Sequence, residues 1–450
     1  MKITFHGATE GVTGSNCLVE TNKGTKFVVD CGLFQGDDQT EDHNWDKFPY
    51  DPATIDFVLL THSHIDHMGR LPKLSKDGFQ GYVFTTEPVA GFAEIFLQDT
   101  RKILQNEAER KGKPELFSDR DITSIMGRFK TYKYYETFEP ADDVRVTLYD
   151  AGHILGSSFI LVEADGKKIT FSGDLGNPPV PLLRNTDKLP ETDYVVMEST
   201  YGDRLHKESG ERLDELESVV KTTISAGGVL LMPSFAMERT QEILYELNDL
   251  TNKGRLDNIA VYMDSPLAIR ATEVYRKYTD YFDENAKDIF SKDNDLFNFP
   301  GLKLIDSMEE SKALDREVSP KVIIAGSGMS NGGRIVFHEK RFLPEPSTTL
   351  AIVGFQVAGT LGRQLKDGSK EVKIMGQPVG VKARVHEISS YSAHADQNKL
   401  VSWISETDGI IKKIFLVHGE QEAKEALKNK IQEKTGLSAV IPDTGNAQEL

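Results

Sequence analysis

The chain has 450 residues, 38% of them hydrophobic and 27% charged. That is too long for one ordinary core and too apolar for a disordered chain. A net charge of −17 argues against a protein that grips nucleic acid through a broadly basic face, and no apolar run approaches the length that crosses a bilayer.

The N-terminus, MKITFHGATE, lacks the basic and apolar segments of a signal peptide. Together with only two cysteines, Cys17 and Cys31, read as reduced thiols, this predicts a cytoplasmic protein. Asn16–Glu20 and Thr25–Asp30 flank Asn22-Lys23-Gly24, the pattern of a hairpin. Phe57–Leu60 predicts a short strand that runs into THSHIDHMGRLP, residues 61–72. Val89–Glu109 has helical spacing. Val144–Tyr149, Phe159–Glu163, Lys168–Phe171 and Tyr194–Met197 predict strands, the middle two pairing across Ala164-Asp165-Gly166.

After Tyr201 helices and strands alternate. Ser209–Ser225 and Arg239–Leu250 predict helices; Val229–Pro233, Ile259–Met263, Lys321–Ala325 and Thr349–Gly354 predict strands. This alternation indicates an α/β layer with a largely parallel sheet. The acidic stretch 280–317 reads as an irregular surface excursion. From about Val385 the pattern returns to strand, loop and helix, with helices at His394–Ile404 and Glu420–Glu433 and a strand at Lys413–Val417. The expected organisation is an N-terminal α/β domain over 1–203, an inserted α/β domain over 204–385, and a return to the first domain over 386–450.

His62, His64, Asp66 and His67 crowd into six residues. In a helix, His62 and His64 would point about 200° apart, so they face one ion only on extended backbone. Asp66 and His67 follow a bend and can face a second ion. Further donors stand at the ends of apolar strands beside glycines: His153 in DAGHILGSS, Asp174 in FSGDLGN and His418 in FLVHGE. Five imidazoles and two carboxylates suit zinc, and such donors accept manganese or iron as well. Two ions roughly 3.5–4 Å apart can clamp both the attacking and the leaving oxygen of a displacement.

Taken in order, THSHIDHMG, AGHILGSS, FSGDLG, MESTYGDR, SGMSNGGR, GFQVAGTLGRQL, YSAHAD and LVHGE make the whole chain resemble the β-CASP branch of the metallo-β-lactamase superfamily. Within it the chain is similar to the cleavage and polyadenylation endonuclease subunit and its stand-alone bacterial relatives. The resemblance implies an αββα sandwich with a β-CASP domain inserted between Asp174 and His418. It also implies that His62, His64 and His153 hold one zinc, that Asp66, His67 and His418 hold the other, and that Asp174 bridges them. The catalytic candidates are His394, Glu198 and Asp66, with His394 as general acid oriented by Glu198. Ser327, Gly328 and Met329, in a glycine-rich turn of the phosphate-nest kind, and Arg363 are the substrate-binding candidates. Arg204, Arg239, Arg334 and His338 are weaker ones.

The expected activity is hydrolysis of single-stranded RNA by a metal-bridging hydroxide, in endonuclease or 5′-to-3′ exonuclease mode. RNA binding should be modest and salt-sensitive given the acidic exterior. The alternatives are a DNA nuclease of the same branch, a small-molecule metallohydrolase, and a non-catalytic RNA-processing subunit. Oligomeric state is open, a homodimer among the arrangements.

Overall fold

The computed structural model describes every residue except 207–211, 257–258, 294, 358, 389–390 and 408. The chain forms two compact units. One comprises Met1–Pro178, Leu183–Leu205 and Ala393–Leu450; the other comprises Pro179–Leu182 and His206–Ser392.

The first unit is built on two seven-stranded sheets. One runs in the order Ala447–Glu449, Lys2–Phe5, Cys17–Glu20, Lys26–Val29, Phe57–Leu59, Tyr82–Thr85, Phe129–Thr131. The other runs Ala439–Val440, Lys413–Leu416, Tyr194–Met197, Lys167–Phe171, Ser158–Ala164, Val144–Asp150, Thr137–Ala141. The alternation of strand side chains explains the layering. Phe27, Val29, Phe57 and Leu59 pack with Val146, Leu148, Ile160, Val162 and Phe171 in the core between the sheets. Val28, Val58 and Leu60 point the opposite way, to Leu71, Leu74, Val89 and Leu97, residues of helices Leu71–Lys76 and Glu87–Lys111. On the far side Val195, Met197, Ile414 and Leu416 pack under Leu400, Ile404, Leu427 and Ile431, from helices Gln397–Ser405 and Gln421–Thr435. This is the expected αββα sandwich. Each fully buried Phe or Leu here contributes about 1.5–3 kcal/mol of transfer free energy.

The hairpin forms as expected, with Leu18 opposite Val28. Cys17 and Cys31 are both buried and unbridged. Burial pushes both thiols up, Cys31 to about 12, so neither is a ready nucleophile.

The second unit has a wholly parallel six-stranded sheet in the order Leu302–Leu304, Val261–Asp264, Lys321–Ala325, Val229–Pro233, Thr349–Ile352, Arg384–Glu387. Its core joins Val229, Leu231, Ile323 and Leu350 to Ile335, Phe342 and Leu365. Helix Arg212–Ser225 is described from Arg212; the start expected at Ser209 lies outside the described residues. The stretch 280–317 is not an irregular excursion. It contains helices Glu284–Asp293 and Met308–Ala313 and strand Leu302–Leu304, and Phe282, Leu296, Phe297 and Phe299 are buried. Widely spaced aromatics anchor it where the acidic composition suggested none. No helix among the described residues is long and apolar enough to cross a membrane.

Candidate metal centre

Strand Phe57–Leu59 ends just before the histidine cluster. His64 is extended, at φ −67° and ψ 146°, and caps the short helix Ile65–Met68. The extended backbone puts His62 and His64 side by side, and the helix turns Asp66 and His67 elsewhere. That helix sits against the chain at Gly32. A Cβ on Gly32 would fall inside the van der Waals radius of the Asp66 carbonyl oxygen, so only glycine allows this approach.

Donor atoms of His62, His64, His153 and Asp174 all lie within 4.8 Å of one another, and so do those of Asp66, His67 and His418. Within the first group His62 Nε2 lies 3.1 Å, and His153 Nε2 3.2 Å, from His64 Nδ1. In the second, His67 Nε2 is 3.2 Å from His418 Nε2, and Asp66 Oδ2 is 3.3 Å from the same nitrogen. Asp174 joins them. Its Oδ2 is 3.4 Å from His62 Nε2 and 3.6 Å from His153 Nε2. Its Oδ1 is 3.4 Å from His67 Nε2 and 3.5 Å from His418 Nδ1. Oδ1 is buried without a hydrogen-bond partner, costly for a carboxylate unless a cation satisfies it.

The protonation pattern of the first group suits the same purpose. Burial and the neighbouring imidazoles hold His62 and His153 below the usual imidazole value and His64 down to about 3. Their nitrogens therefore keep a free lone pair. Burial also opposes a charge on His67, but Asp174 and Asp30 outweigh it and raise the group. Burial works against an ionised Asp174 too, and His418, His67 and His394 overcome it. Converging imidazole lone pairs and an unpaired carboxylate oxygen fit divalent cations.

Asp30 escaped the sequence reading. It follows strand Lys26–Val29 and is 2% exposed. His67 Nδ1 donates to its Oδ2 at 2.7 Å, while the Thr61 amide and hydroxyl donate to its oxygens at 2.9 Å. A carboxylate there fixes the His67 tautomer and orientation, the usual partner of a ligating imidazole. The available signal was an aspartate closing the apolar run FVVD. Asp30→Asn is expected to weaken metal affinity by about 10–100-fold, measured by competition with a chromogenic chelator. Unchanged affinity would remove Asp30 from this role.

Glu198 follows strand Tyr194–Met197 and is fully buried. The Leu175 amide donates to its Oε1 at 2.6 Å, and His394 Nδ1 lies 3.2 Å from its Oε2. His394 was expected inside a helix, but it precedes helix Gln397–Ser405, capped by Asp396, and makes an isolated β-bridge with Gly176. The bridge fixes the backbone at His394, and the contact with Glu198 orients its ring. Its Nδ1 is 3.9 Å from Asp174 Oδ2. Burial opposes its charge, yet Glu198 and Asp174 prevail and push the imidazole up to about 9.

Ser327, Gly328, Met329 and Arg363 belong to the second unit. Several amides of the glycine-rich turn are used internally: Ser327 N–H donates to the Gly332 carbonyl at 3.2 Å, and Asn331 N–H donates to Ser327 Oγ at 3.1 Å. The arginines are paired with carboxylates. Arg363 Nε donates to both oxygens of Asp367 at 2.9 and 3.0 Å. Arg334 meets Asp264 at 2.7 Å and Arg204 meets Asp203 at 2.8 Å. Arg239 is buried against Glu242 and Glu238. His338 is buried against Asp264 at 2.7 Å rather than facing outward.

Three families match successive parts of the chain: a metallo-beta-lactamase superfamily domain over residues 18–176, a Beta-Casp domain over 240–365, and a Zn-dependent metallo-hydrolase RNA specificity domain over 378–442. Ribonuclease TTHA0252 of Thermus thermophilus is 37% identical over 95% of this chain and 95% of its own. An RNase J-like protein of Methanocaldococcus jannaschii is 31% identical over 98% of each. Transcription termination factor FttA of Thermococcus kodakarensis is 30% identical, over 100% of this chain and 71% of its own. A solved structure of a protein of unknown function from Enterococcus faecalis, 13% identical, shares the fold at a TM-score of 0.56 over 100% of this chain and 99% of that one. Sequence motifs, sandwich, inserted parallel sheet and relatives agree: the chain belongs to the β-CASP family of the metallo-β-lactamase superfamily.

Proposed function

We propose that the chain is a zinc-dependent ribonuclease that hydrolyses phosphodiester bonds of single-stranded RNA, as an endonuclease, a 5′-to-3′ exonuclease or both. The observation that carries this reading is the His394–Glu198 pair set against Asp174, whose donor atoms lie within 4.8 Å of one another. A phosphodiester repels nucleophiles because its oxygens are negative, and its alkoxide leaving group needs a proton. Two bound cations would neutralise that charge and supply a water acidic enough to ionise near neutral pH. His394 meets the second need. Glu198 occupies its Nδ1, which leaves Nε2–H to protonate the leaving oxygen. Asp66 is held below the usual carboxylate value, burial being outweighed by His418 and His67. It stays ionised and can orient an attacking water as well as serve as a ligand. The name of the Thermus relative supports RNA as substrate.

The test is incubation of 5′-labelled and 3′-labelled RNA, with matched DNA, with and without chelator. RNA cleavage that chelator abolishes and zinc restores is expected, and the two product ladders separate the modes. Cleavage of DNA alone, or RNA cleavage indifferent to chelator, would overturn the reading.

A further inference from the structure

In the second unit, strands Lys321–Ala325, Val229–Pro233 and Thr349–Ile352 are neighbours in the parallel sheet. Their carboxyl ends therefore open side by side, where α/β sheets take ligands. The chain leaving Val229–Pro233 places Phe235 there, 41% exposed. The residue is held rather than loose. Ser234 N–H donates to the Ala325 carbonyl at 3.0 Å, and Thr240 Oγ1 donates to the Phe235 carbonyl at 2.7 Å. The ring lies across Gly328: a Cβ there would meet it at 2.7 Å, and one on Gly354 would meet it at 3.6 Å. Gln356, buried, donates from Nε2 to the carbonyls of Gly328 and Gly354 at 2.9 and 3.1 Å, which locks the two glycines beneath the ring. Phe355 and Val357, on the exit of the next strand, are exposed as well.

A single exposed phenylalanine needs no explanation. A fixed ring seated on side-chain-free backbone at a sheet's ligand-binding edge does. What occupies it follows from charge. The chain carries −17, and Arg204, Arg239, Arg334 and Arg363 are neutralised by carboxylates. Attraction to phosphates is thus partly spent within the protein, and a strand of RNA needs another source of affinity. Bases supply it, because every base has a π-face that stacks on an aromatic ring whatever its sequence.

We propose that Phe235, seated on Gly328, is a stacking platform for a base of single-stranded RNA, giving the enzyme a sequence-tolerant and salt-insensitive contact. This rests on the ribonuclease reading. Binding of a fluorescent phosphorothioate oligoadenylate, which resists cleavage, is measured on the metal-loaded protein, and an oligoribose-phosphorothioate of equal length without bases serves as the comparison. Phe235→Ala is expected to weaken oligoadenylate binding by about 5- to 140-fold, since one stacked base contributes about 1–3 kcal/mol. The loss should be equal at low and high salt, Phe235→Trp should restore binding, and the base-free strand should bind weakly and equally to all variants. Unchanged oligoadenylate affinity in Phe235→Ala overturns the proposal, and so does an equal loss for the base-free strand. A change in sedimentation alone would show instead a contact between copies of the chain and would also overturn it. Wild-type protein that binds no RNA would sink the ribonuclease reading with it, whereas wild-type binding indifferent to Phe235 sinks only the stacking platform.

Discussion

Replacing His394 by alanine is expected to lower kcat on RNA by about 10²–10⁴-fold, the usual worth of a positioned general acid. The metal content should hold, because His394 belongs neither to the group of His62, His64, His153 and Asp174 nor to that of Asp66, His67 and His418. The leaving group provides the decisive control. A phosphodiester with a nitrophenol leaving group departs without a proton, so His394→Ala should keep most of its activity there. Equal losses on both substrates would take the proton-donor role away from His394. Glu198 gives the matching pH arm. It is among the carboxylates that push His394 up to about 9, and a general acid must carry its proton to act. Activity should therefore fall as pH rises through the value of His394, and Glu198→Gln, which withdraws one carboxylate, should move that fall to lower pH.

Asp174→Asn is expected to reduce bound metal from two ions toward one per chain and to cost at least about 10³-fold in activity, as one half of a two-metal clamp is lost. Asp174 spreads its oxygens over both groups, and an amide nitrogen cannot replace the Oδ1 that lacks a hydrogen-bond partner. Elemental analysis of the purified variant reads the first effect and single-turnover cleavage the second. A variant that retains two ions and most of its activity would show that Asp174 does not bridge.

The parts of this molecule that were legible in the sequence share a property: their signal is local. His62, His64, Asp66 and His67 announce themselves because four donors fall in one short loop. His153, Asp174 and His418 stand out because each ends an apolar strand beside a glycine. The hairpin at Cys17–Val29 and the strand Val144–Asp150 follow from turn chemistry and alternation. What was missed depends on distance. Asp30 matters only because folding carries His67 and Thr61 to it. The 280–317 stretch reads as polar residue by residue, and its order comes from scattered aromatics that meet only in the folded unit. His394 lies just upstream of a good helical pattern, so periodicity absorbed it into a helix that Asp396 begins. The arginine pairs divide the same way. Arg363 and Asp367 stand four apart, on a helix and at its C-cap, a spacing visible in the sequence, whereas Arg334 and Asp264 come from separate elements.

Gly32 offers no donor, yet the group of Asp66, His67 and His418 depends on it, because the helix that carries Asp66 and His67 rests directly against its Cα. A loss-of-function screen is therefore expected to return Gly32 among the candidate ligands. Even an alanine there should mimic a missing histidine, stripping metal from a protein whose seven donors are all intact. The boundary of this candidate site, drawn by what it cannot lose, runs one layer wider than the boundary drawn by its donor atoms.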